Sequence, residues 1–367
     1  MLTSLVARDF RNLVSLDVHF ASDGLAVVGD NGQGKTNLLE AIAYANLMRS
    51  MRGTRDVDVV RFGAAGSDLR VVAGGEAGCA VTIGIDRATR AKRVRIDGVE
   101  IRRLTDALGS IPSVLVSPSD VSLISGGPGE RRRFLDILLA LTDPSYLHAL
   151  TRYRAALERR NGALRRGPGL VDADEVASWE PALVQHGAVL ITQRAAWVDR
   201  WAPQWATRCA ALGERTAVAM TYRTSVGEGA SRDLSLAADA LGQALASRRA
   251  SDIRRGLTQD GPHRDELVIE LGGRELRAFG SSGQQRTAAI ALRMCEAGSW
   301  RARLGQAPLF LLDDPFAELD AGRARRILES FEAAGLGQVV LVVPRDEDIP
   351  EAFTRLERAR MHEGILS

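Results

Sequence analysis

Gly29-Asp30-Asn31-Gly32-Gln33-Gly34-Lys35-Thr36 is the stretch that decides the fold of this chain. Residues 25–28 before it form an apolar run that predicts a buried strand, and residues 37–42 after it repeat their apolar positions at helical spacing. A strand, a glycine-rich loop and a helix are the context that the pattern G-x-x-x-x-G-K-[ST] needs to be a phosphate-binding loop. We therefore expect this loop to bind a nucleotide.

Each residue type in the loop suits the binding of ATP with Mg²⁺. Glycine lets the backbone turn closely around a β-phosphate, so that successive N–H groups point at it. Lys35 would reach the β- and γ-phosphates as a point charge, and the Thr36 hydroxyl would bind Mg²⁺. A chance match is the alternative, but lysine is rare here: Lys35 and Lys92 are the only two in the sequence. The predicted ATP-binding residues are Gly29, Asp30, Asn31, Gly32, Gln33, Gly34, Lys35 and Thr36.

Length and composition are those of an ordinary globular protein. The chain has 367 residues, of which 45% are hydrophobic and 26% charged, enough to bury one large core or two smaller ones. No apolar run approaches the ~18 residues that span a bilayer, and no basic start precedes an apolar segment, so we expect neither a membrane span nor a signal peptide. Cys79, Cys209 and Cys295 form no C-x-x-C pair, which favours the cytoplasm.

The net charge of +2 does not by itself indicate a nucleic-acid-binding protein. The charge is nevertheless unevenly distributed. Residues 128–170 contain nine Arg against four acidic residues, a balance of +5. Such a run is either a surface that contacts DNA phosphates or the solvated face of helices, and charge alone does not decide between them.

Strand patterns occupy the beginning and the end of the chain. Residues 1–28 and 69–116 alternate as strands do, and Asp97-Gly98 predicts a tight hairpin turn. Further strands are expected at 267–271, 275–279, 309–312 and 339–343. Because helical patterns separate the later strands, the fold class that we expect is α/β.

The middle of the chain has a different pattern. From residue 130 to 255 the apolar positions predict long amphipathic helices, one of which begins at Asp143-Pro144. We therefore expect a helical lobe inserted into an α/β lobe. The expected boundaries are 1–117 and 257–367 for the α/β lobe and 118–256 for the helical lobe.

A second group of functional residues follows the apolar run at 309–312. Asp313 would hold Mg²⁺ opposite Thr36, directly or through water. Asp314 would orient or deprotonate the attacking water. By itself the segment also fits a strand that ends in a polar turn, but a phosphate loop in the same chain favours the metal site.

A third motif, Ser281-Ser282-Gly283-Gln284, stands at the start of a predicted helix. Helix N-termini bind anions through free N–H groups, so Ser281 and the N–H groups after it form a candidate anion-binding site. Here the sequence resembles the heads of ABC-type ATPases, whose Leu-Ser-Gly-Gly-Gln motif binds the γ-phosphate held by the opposite subunit. Ser281 matches the serine of that motif and Gly283-Gln284 its end, while Ser282 replaces its first glycine; the resemblance thus implies ATP contacts at Ser281, Gly283 and Gln284. Residues 317–320 resemble the loop that follows the metal-binding strand.

Within that class the chain resembles the RecF family along nearly its whole length. A transporter motor would carry a glutamine near residue 117 and a histidine after the last core strand, where this chain has Pro344-Arg345. Chromosome-maintenance relatives insert long coiled coils, whereas no sustained heptad run is present here. The matching runs are Asp9-Phe10-Arg11-Asn12, residues 29–40, Ser117-Pro118-Ser119-Asp120, Gly127-Pro128, residues 131–136, Arg159-Arg160-Asn161, Gly261-Pro262-His263-Arg264-Asp265, residues 281–286 and residues 311–314.

This resemblance implies a function in recombinational repair and in the maintenance of replication forks. Two subunits would meet around two ATP molecules, each touching Lys35 of one subunit and Ser281 of the other. The ATP-dependent homodimer would bind double-stranded or gapped DNA and, with RecO and RecR, help to load RecA. The resemblance implies slow, DNA-stimulated ATP hydrolysis, with Lys35, Asp313, Asp314 and Ser281 as catalytic residues.

Two other functions remain open on the sequence. One is a nucleotide-gated DNA clamp or scaffold with negligible turnover, and the other is a motor subunit of another ABC family, which would have a membrane partner. Arg52 and Arg55, shortly after the phosphate-loop helix, are candidate contacts to DNA. His263 is expected in a structural turn. Arg345 either acts near the γ-phosphate, in place of the small hydroxyl residue typical of the family, or faces solvent.

Overall fold

The computed structural model describes residues 1–74, 78–167, 169–227, 229–230, 232–316, 321–333, 335 and 337–367. Contacts divide the chain into two units. The first unit contains Met1–Asp120 and Leu292–Ser367, and the second unit contains Val121–Ala291. None of the helices in the described ranges has the length and hydropathy needed to cross a membrane.

Strands supply the framework of the first unit and a small sheet in the second. Within the described ranges they are β1 (Leu2–Phe10), β2 (Leu13–His19), β3 (Gly24–Val28), β4 (Gly66–Ala73), β5 (Cys79–Asp86), β6 (Lys92–Ile96), β7 (Val99–Glu100), β8 (Ser113–Val116), β9 (Val218–Arg223), β10 (Glu266–Leu271), β11 (Arg274–Glu275), β12 (Leu309–Asp313), β13 (Val339–Val343), β14 (Glu357–His362) and β15 (Ile365–Leu366).

Most of the helices lie in the second unit. In the described ranges of both units the α-helices are α1 (Lys35–Leu47), α2 (Ser122–Ser125), α3 (Pro128–Thr142), α4 (Pro144–Leu164), α5 (Ala173–Ser178), α6 (Glu180–Ala211), α7 (Leu234–Arg255), α8 (Leu276–Phe279), α9 (Ser282–Leu304) and α10 (Ala321–Ala333). The predicted start at Asp143-Pro144 is confirmed, because the Asp143 carboxylate accepts hydrogen bonds from the N–H groups of Ser145 and Tyr146.

An antiparallel sheet in the order β2-β1-β4-β5-β6-β7 forms one layer of the first unit. Alternate residues are buried, as in β5, where Val81, Ile83 and Ile85 lie inside. The predicted turn at Asp97-Gly98 is confirmed by the pairing of Ile96 with Val99.

A second sheet of the first unit has the order β15-β14-β3-β13-β12-β8. The strands β14, β3, β13, β12 and β8 run parallel, and β15 pairs antiparallel with β14. Every residue of β3 and β13 is buried, as expected for a parallel sheet covered on both faces. Because parallel strands end at one edge, the loops that follow residues 28, 116, 313, 343 and 362 share that edge.

Helix α1 lies between the two sheets of the first unit. It contacts β1, β4 and β5 of the antiparallel sheet and β8, β12 and β13 of the parallel one. Its side chains Leu38, Leu39, Ile42 and Tyr44 are fully buried in the shared apolar core. The phosphate loop is therefore fixed at both ends, by β3 before it and by a buried helix after it.

The second unit joins its helices through buried ion pairs. Arg194 of α6 donates to Asp136 of α3 at 2.7 Å and to the Tyr146 hydroxyl of α4 at 2.9 Å. Arg160 of α4, which is completely buried, donates to Asp252 of α7 at 2.8 Å. Buried charges of this kind are costly unless they are paired, so each pair restricts how these helices pack.

Two local predictions in this region need correction. The segment 275–279 was expected to be a strand, but only Arg274–Glu275 pairs with β10, and Leu276–Phe279 is a helical turn whose Leu276 is buried. The pattern of residues 130–255 predicts long helices and no strand, but this stretch contains β9. That strand pairs with β10 over its whole length, from Val218↔Leu271 to Arg223↔Glu266.

The pairing of β9 with β10 also bears on the division of the chain. The N-terminal segment of the first unit ends at Asp120, close to the expected boundary at 117, but the second unit extends to Ala291 instead of 256. Residues 257–291, which include the Ser281 segment, therefore belong to the second unit. The functional division into an ATPase lobe and an inserted lobe stays a prediction.

Candidate functional site

A cavity of about 370 Å³ opens at the edge of the parallel sheet where the strands end. The phosphate loop forms one wall, and residues that follow β8, β12 and β13 form the other. The lining residues are Asn31, Gly32, Gly34, Lys35, Thr36, Asn37, Arg52, Pro118, Asp313, Asp314 and Pro344. The structure thus brings the predicted phosphate loop and the predicted metal-binding strand to one cavity.

Lys35 begins helix α1 and turns its ammonium back onto the loop. Its Nζ donates to the carbonyl of Asp30 at 2.9 Å and to that of Gly29. Burial lowers the pKa of Lys35, while the carboxylates of Asp313 and Asp314 act in the opposite direction. A cation held by carbonyls at the entrance of a helix is well placed to meet an anionic phosphate.

Thr36 and Asp313 are hydrogen-bonded to each other in the lining of the cavity. The Thr36 hydroxyl lies 3.1 Å from Oδ1 of Asp313. Burial raises the pKa of Asp313, and the neighbouring charge of Asp314 adds to this effect. A hydroxyl and a carboxylate are hard oxygen ligands, which Mg²⁺ prefers when it also binds the phosphates of a nucleotide. These two residues therefore fit the predicted Mg²⁺ site.

Asp314 has an unusual backbone. Its φ is +45°, in the left-handed region that non-glycine residues rarely adopt, and its N–H donates to the carbonyl of Val342 at 2.9 Å. The neighbouring strand β13 thus holds the residue in this conformation. Such strain is concentrated at functional sites, where it fixes the direction of a side chain.

Arg52 occupies a position that the sequence did not predict. It lines the cavity, and its Nη2 donates to Oδ1 of Asn37 at 2.9 Å. Its Nε lies 3.4 Å from Glu40, a completely buried carboxylate of α1. Sequence reasoning suggested a DNA contact for Arg52, which stays a prediction; its side chain is a wall of the nucleotide cavity.

Glu40 and Arg11 support this wall and were not singled out from the sequence. Arg11 binds both carboxylate oxygens of Glu40, at 2.9 and 3.0 Å, and the Ser50 hydroxyl donates to the same carboxylate. The bidentate geometry compensates for the burial of the charge. Both residues lie within the runs that resemble the RecF family, and this was the only signal for them in the sequence.

The Ser281 segment lies in the second unit and does not line the cavity. Ser281 and Gln284 exchange two hydrogen bonds: the Ser281 N–H donates to Oε1 of Gln284 at 2.9 Å, and the Gln284 N–H donates to Oγ of Ser281 at 3.3 Å. This is a reciprocal cap at the start of α9. Ser281 and Ser282 are exposed, and Gly283 and Gln284 are half-buried. Their contact with ATP stays a prediction.

Arg55 and Arg345 do not line the cavity, and a third predicted segment lies outside the described residues. Arg55 is exposed and pairs with Asp58 at 2.9 Å. Arg345, with a side chain 73% exposed, pairs with Glu347 at 3.0 Å. Arg345 also lines a second cavity with Gly29 and Asp30 of the phosphate loop, so both alternatives for it stay predictions. Residues 317–320, which resemble the loop after the metal-binding strand, lie outside the described residues.

His263 lies in a buried hydrogen-bond network of the second unit. Its Nδ1 contacts the Tyr153 hydroxyl at 2.7 Å, and its Nε2 contacts the Thr258 carbonyl at 3.1 Å. Burial lowers the pKa of His263 to about 4, so the ring is neutral at pH 7. These contacts support the structural turn that we expected at this motif.

Comparison with known proteins also indicates a protein of the resembled family. A family model described as "RecF/RecN/SMC N terminal domain" matches residues 1–367. The DNA replication and repair protein RecF of Roseiflexus castenholzii is 35% identical over 394 residues, which cover 100% of this chain and 99% of that protein.

Two solved structures are similar in fold. One is described as the recombination mediator protein RecF with ATP in the RecFOR pathway; it has a TM-score of 0.89 and 26% identity and covers 100% of this chain and 96% of that one. The other, an SMC head bound to the C-winged helix domain of ScpA, has a TM-score of 0.59 at 16% identity and covers 100% and 96%. The predicted fold class, an ABC-type ATPase head, is confirmed.

Proposed function

The chain belongs to the RecF family of DNA replication and repair proteins, and from that premise we propose that it is an ATP-hydrolysing, DNA-binding protein of recombinational repair. The observation that carries this proposal is the cavity that joins Lys35, Thr36, Asp313 and Asp314 at one sheet edge. A phosphate loop opposite two carboxylates is the arrangement that Mg²⁺-dependent phosphoryl transfer needs.

Four side chains of the cavity, those of Lys35, Thr36, Asp313 and Asp314, have chemical roles in this proposal. Lys35 leaves the loop carbonyls and binds the β- and γ-phosphates, where it stabilises the charge of the transition state. Thr36 and Asp313 would hold Mg²⁺, which would supply neutralisation of the phosphate charge. Asp314 orients the attacking water and accepts its proton. Arg52, fixed by Asn37 and Glu40, forms part of the wall of the same cavity.

The proposed active form is a homodimer. Lys35 and Ser281 belong to different units, and the Ser281 segment is exposed at the start of a capped helix. We propose that Ser281, Gly283 and Gln284 of one subunit bind the γ-phosphate of ATP held by the other subunit. ATP would then favour the dimer by mass action, and hydrolysis would release it.

The proposed substrate of the dimer is double-stranded or gapped DNA, bound through phosphates and with little sequence preference. Arg55, whose side chain is 76% exposed, and Arg52 remain the proposed contacts. Membership of the family supports RecO and RecR as partners in the loading of RecA. We propose a cytoplasmic location, because the substrate is chromosomal DNA.

Replacing Asp314 by Asn tests the proposed hydrolysis. The variant keeps the shape of the cavity but loses the base, so we expect phosphate release to fall by about 100-fold or more while ATP binding is retained. Phosphate release and ATP affinity are measured with and without duplex DNA. Asp346→Asn is the control, because Asp346 lies three residues after β13, is exposed and does not line the cavity.

Phosphate release by the wild type and by Asp314→Asn distinguishes an ATPase from a nucleotide-gated DNA clamp. Phosphate release by the wild type that exceeds that of Asp314→Asn supports an ATPase. If the wild type releases no more phosphate than the variant, even with DNA, a nucleotide-gated clamp with negligible turnover replaces the proposed function.

A further inference from the structure

The turn between β14 and β15 contacts the phosphate loop at a single residue, Gln33. The N–H of Gly364 donates to the carbonyl of Gln33 at 2.8 Å, and the N–H of Glu363 donates to its side-chain Oε1 at 2.6 Å. Gln33 does not line the nucleotide cavity, whereas its neighbour Gly34 does. The turn therefore binds the loop without occupying the space that the phosphates need.

Asn12 also holds the loop through hydrogen bonds. Its Nδ2 donates to the same Gln33 carbonyl at 3.1 Å, and its Oδ1 accepts from Nδ2 of Asn37 at 2.7 Å. Gln33 and Asn37 flank Lys35 and Thr36 in sequence. The three residues between them, Gly34, Lys35 and Thr36, are thus held on both sides by groups outside the loop.

The turn itself is held firmly in place. Strand β14 pairs in parallel with β3, the strand that leads into the phosphate loop, and β15 pairs with β14 through Met361↔Leu366. Gly364 has a φ of +80°, and a Cβ atom at this position would lie 2.3 Å from the carbonyl oxygen of Asn12. Only glycine allows so close an approach in this conformation.

We propose that the Glu363-Gly364 turn is a positioning element of the nucleotide site. Glu363 and Gly364 do not line the cavity; the turn fixes Gln33, and through Gln33 it keeps the N–H groups of the loop directed at the phosphates. A loop ordered before binding does not spend binding energy on its own ordering. This inference rests on the proposed binding of ATP by the same loop.

Gly364→Ala tests the inference, and the chain offers a matched control. Gly98 lies in the β6–β7 turn with a φ of +83°, after Asp97 at +51°, as Gly364 at +80° follows Glu363 at +48°. A Cβ at Gly98, however, meets nothing within 4 Å. Alanine therefore strains the backbone equally at both positions, but only at Gly364 does it displace a turn that touches the phosphate loop.

The readout is the affinity for ATP measured on the full-length chain by calorimetry. We expect Gly364→Ala to weaken ATP binding by about 5- to 30-fold, as for the loss of one or two neutral hydrogen bonds. Gly98→Ala should bind within about twofold of the wild type. Comparable melting temperatures for the two variants exclude a general loss of folding as the cause.

A double-mutant cycle separates positioning from a merely structural effect. Gln33→Met removes the side-chain acceptor from the loop side of the contact. If the turn acts through Gln33, the variant that carries both Gly364→Ala and Gln33→Met binds ATP no more weakly than Gly364→Ala alone. Additive losses would mean that the two positions act independently, and would contradict the inference.

Two results overturn the inference in different ways. If the wild type binds ATP and folded Gly364→Ala binds it within twofold, the turn has no positioning effect and the proposed function is untouched. If the wild type does not bind ATP at all, the proposed function fails and the inference fails with it.

Discussion

At the scale of single residues, the site gathers charges that the fold has partly removed from water. Burial lowers the pKa of Lys35 and raises the pKa of Asp313, so each charged form is less stable here than in solution. Asp314 adds a second negative charge beside Asp313. Without nucleotide and metal, this arrangement of charges destabilises the fold. Binding of ATP and Mg²⁺ should therefore stabilise the fold.

Asp313→Asn tests this cost through pH. The pKa of the Asp313 carboxyl is higher in the folded chain than in the unfolded chain, so the folded chain binds the proton of this carboxyl more tightly. The stability of the fold therefore falls as pH rises from the unfolded-state pKa to the folded-state pKa. We expect nucleotide-free Asp313→Asn to melt at a higher temperature than the wild type at pH 7. The difference should disappear below about pH 4, where both states are protonated.

Thermal melting across pH, with and without ATP and Mg²⁺, gives both parts of this prediction. ATP with Mg²⁺ should stabilise the wild type more than the variant, since the variant lacks a metal ligand. A lower melting temperature for nucleotide-free Asp313→Asn at pH 7 would show that the carboxylate stabilises the fold.

At the scale of elements, the hydrophobic pattern of the sequence predicted the strands that are buried on both faces. The runs at 25–28, 309–312 and 339–343 are apolar throughout because β3, β12 and β13 are covered on both faces, and they lie where predicted. The sequence of β14, Glu-Arg-Ala-Arg-Met-His, is polar because most of its residues are exposed. Pattern therefore could not reveal this strand or the turn that follows it.

The position of Arg52 was beyond prediction for a different reason. Met48, the cap residue that follows the last residue of α1, has a left-handed φ of +51° and reverses the chain. Residues 50–52 then return along the helix, where Ser50 reaches Glu40 and Arg52 reaches Asn37. Methionine is not a typical residue for such a cap, so the sequence contained no signal that the chain returns to the cavity.

Two glycines inside helices of the second unit give a prediction about packing. A Cβ at Gly187 of α6 would lie 2.5 Å from Cδ2 of Leu241 and 3.1 Å from Cε2 of Tyr153, both buried, whereas one at Gly162 of α4 would meet nothing within 4 Å. We expect Gly187→Ala to destabilise the chain by about 1–3 kcal/mol through overpacking.

Gly162→Ala is the matched control for this substitution. It should stabilise the chain by about 0.5–1 kcal/mol, because alanine favours a helix and restricts the unfolded chain. Denaturant unfolding of both variants measures the two values. Stabilisation by Gly187→Ala as well would contradict the close contact between α4, α6 and α7.

At the scale of the whole molecule, the residues proposed to act on one ATP are divided between the two units. Lys35 and Asp313 belong to the first unit, and Ser281 belongs to the second. The N–H of Gln284 is already capped by Ser281, so the fold of the segment needs no nucleotide. A second copy of the chain would supply Ser281 to the ATP bound at Lys35, so that ATP controls association.

The mass of Asp314→Asn protein in solution, measured by light scattering, tests this central claim most directly. Because this variant should bind ATP without hydrolysing it, we predict a change from monomer to dimer when ATP and Mg²⁺ are added. Ser281→Arg in the same background should remain a monomer, since the arginine blocks the exposed segment while the cavity stays intact. A mass that does not respond to ATP, even with duplex DNA present, would contradict the account.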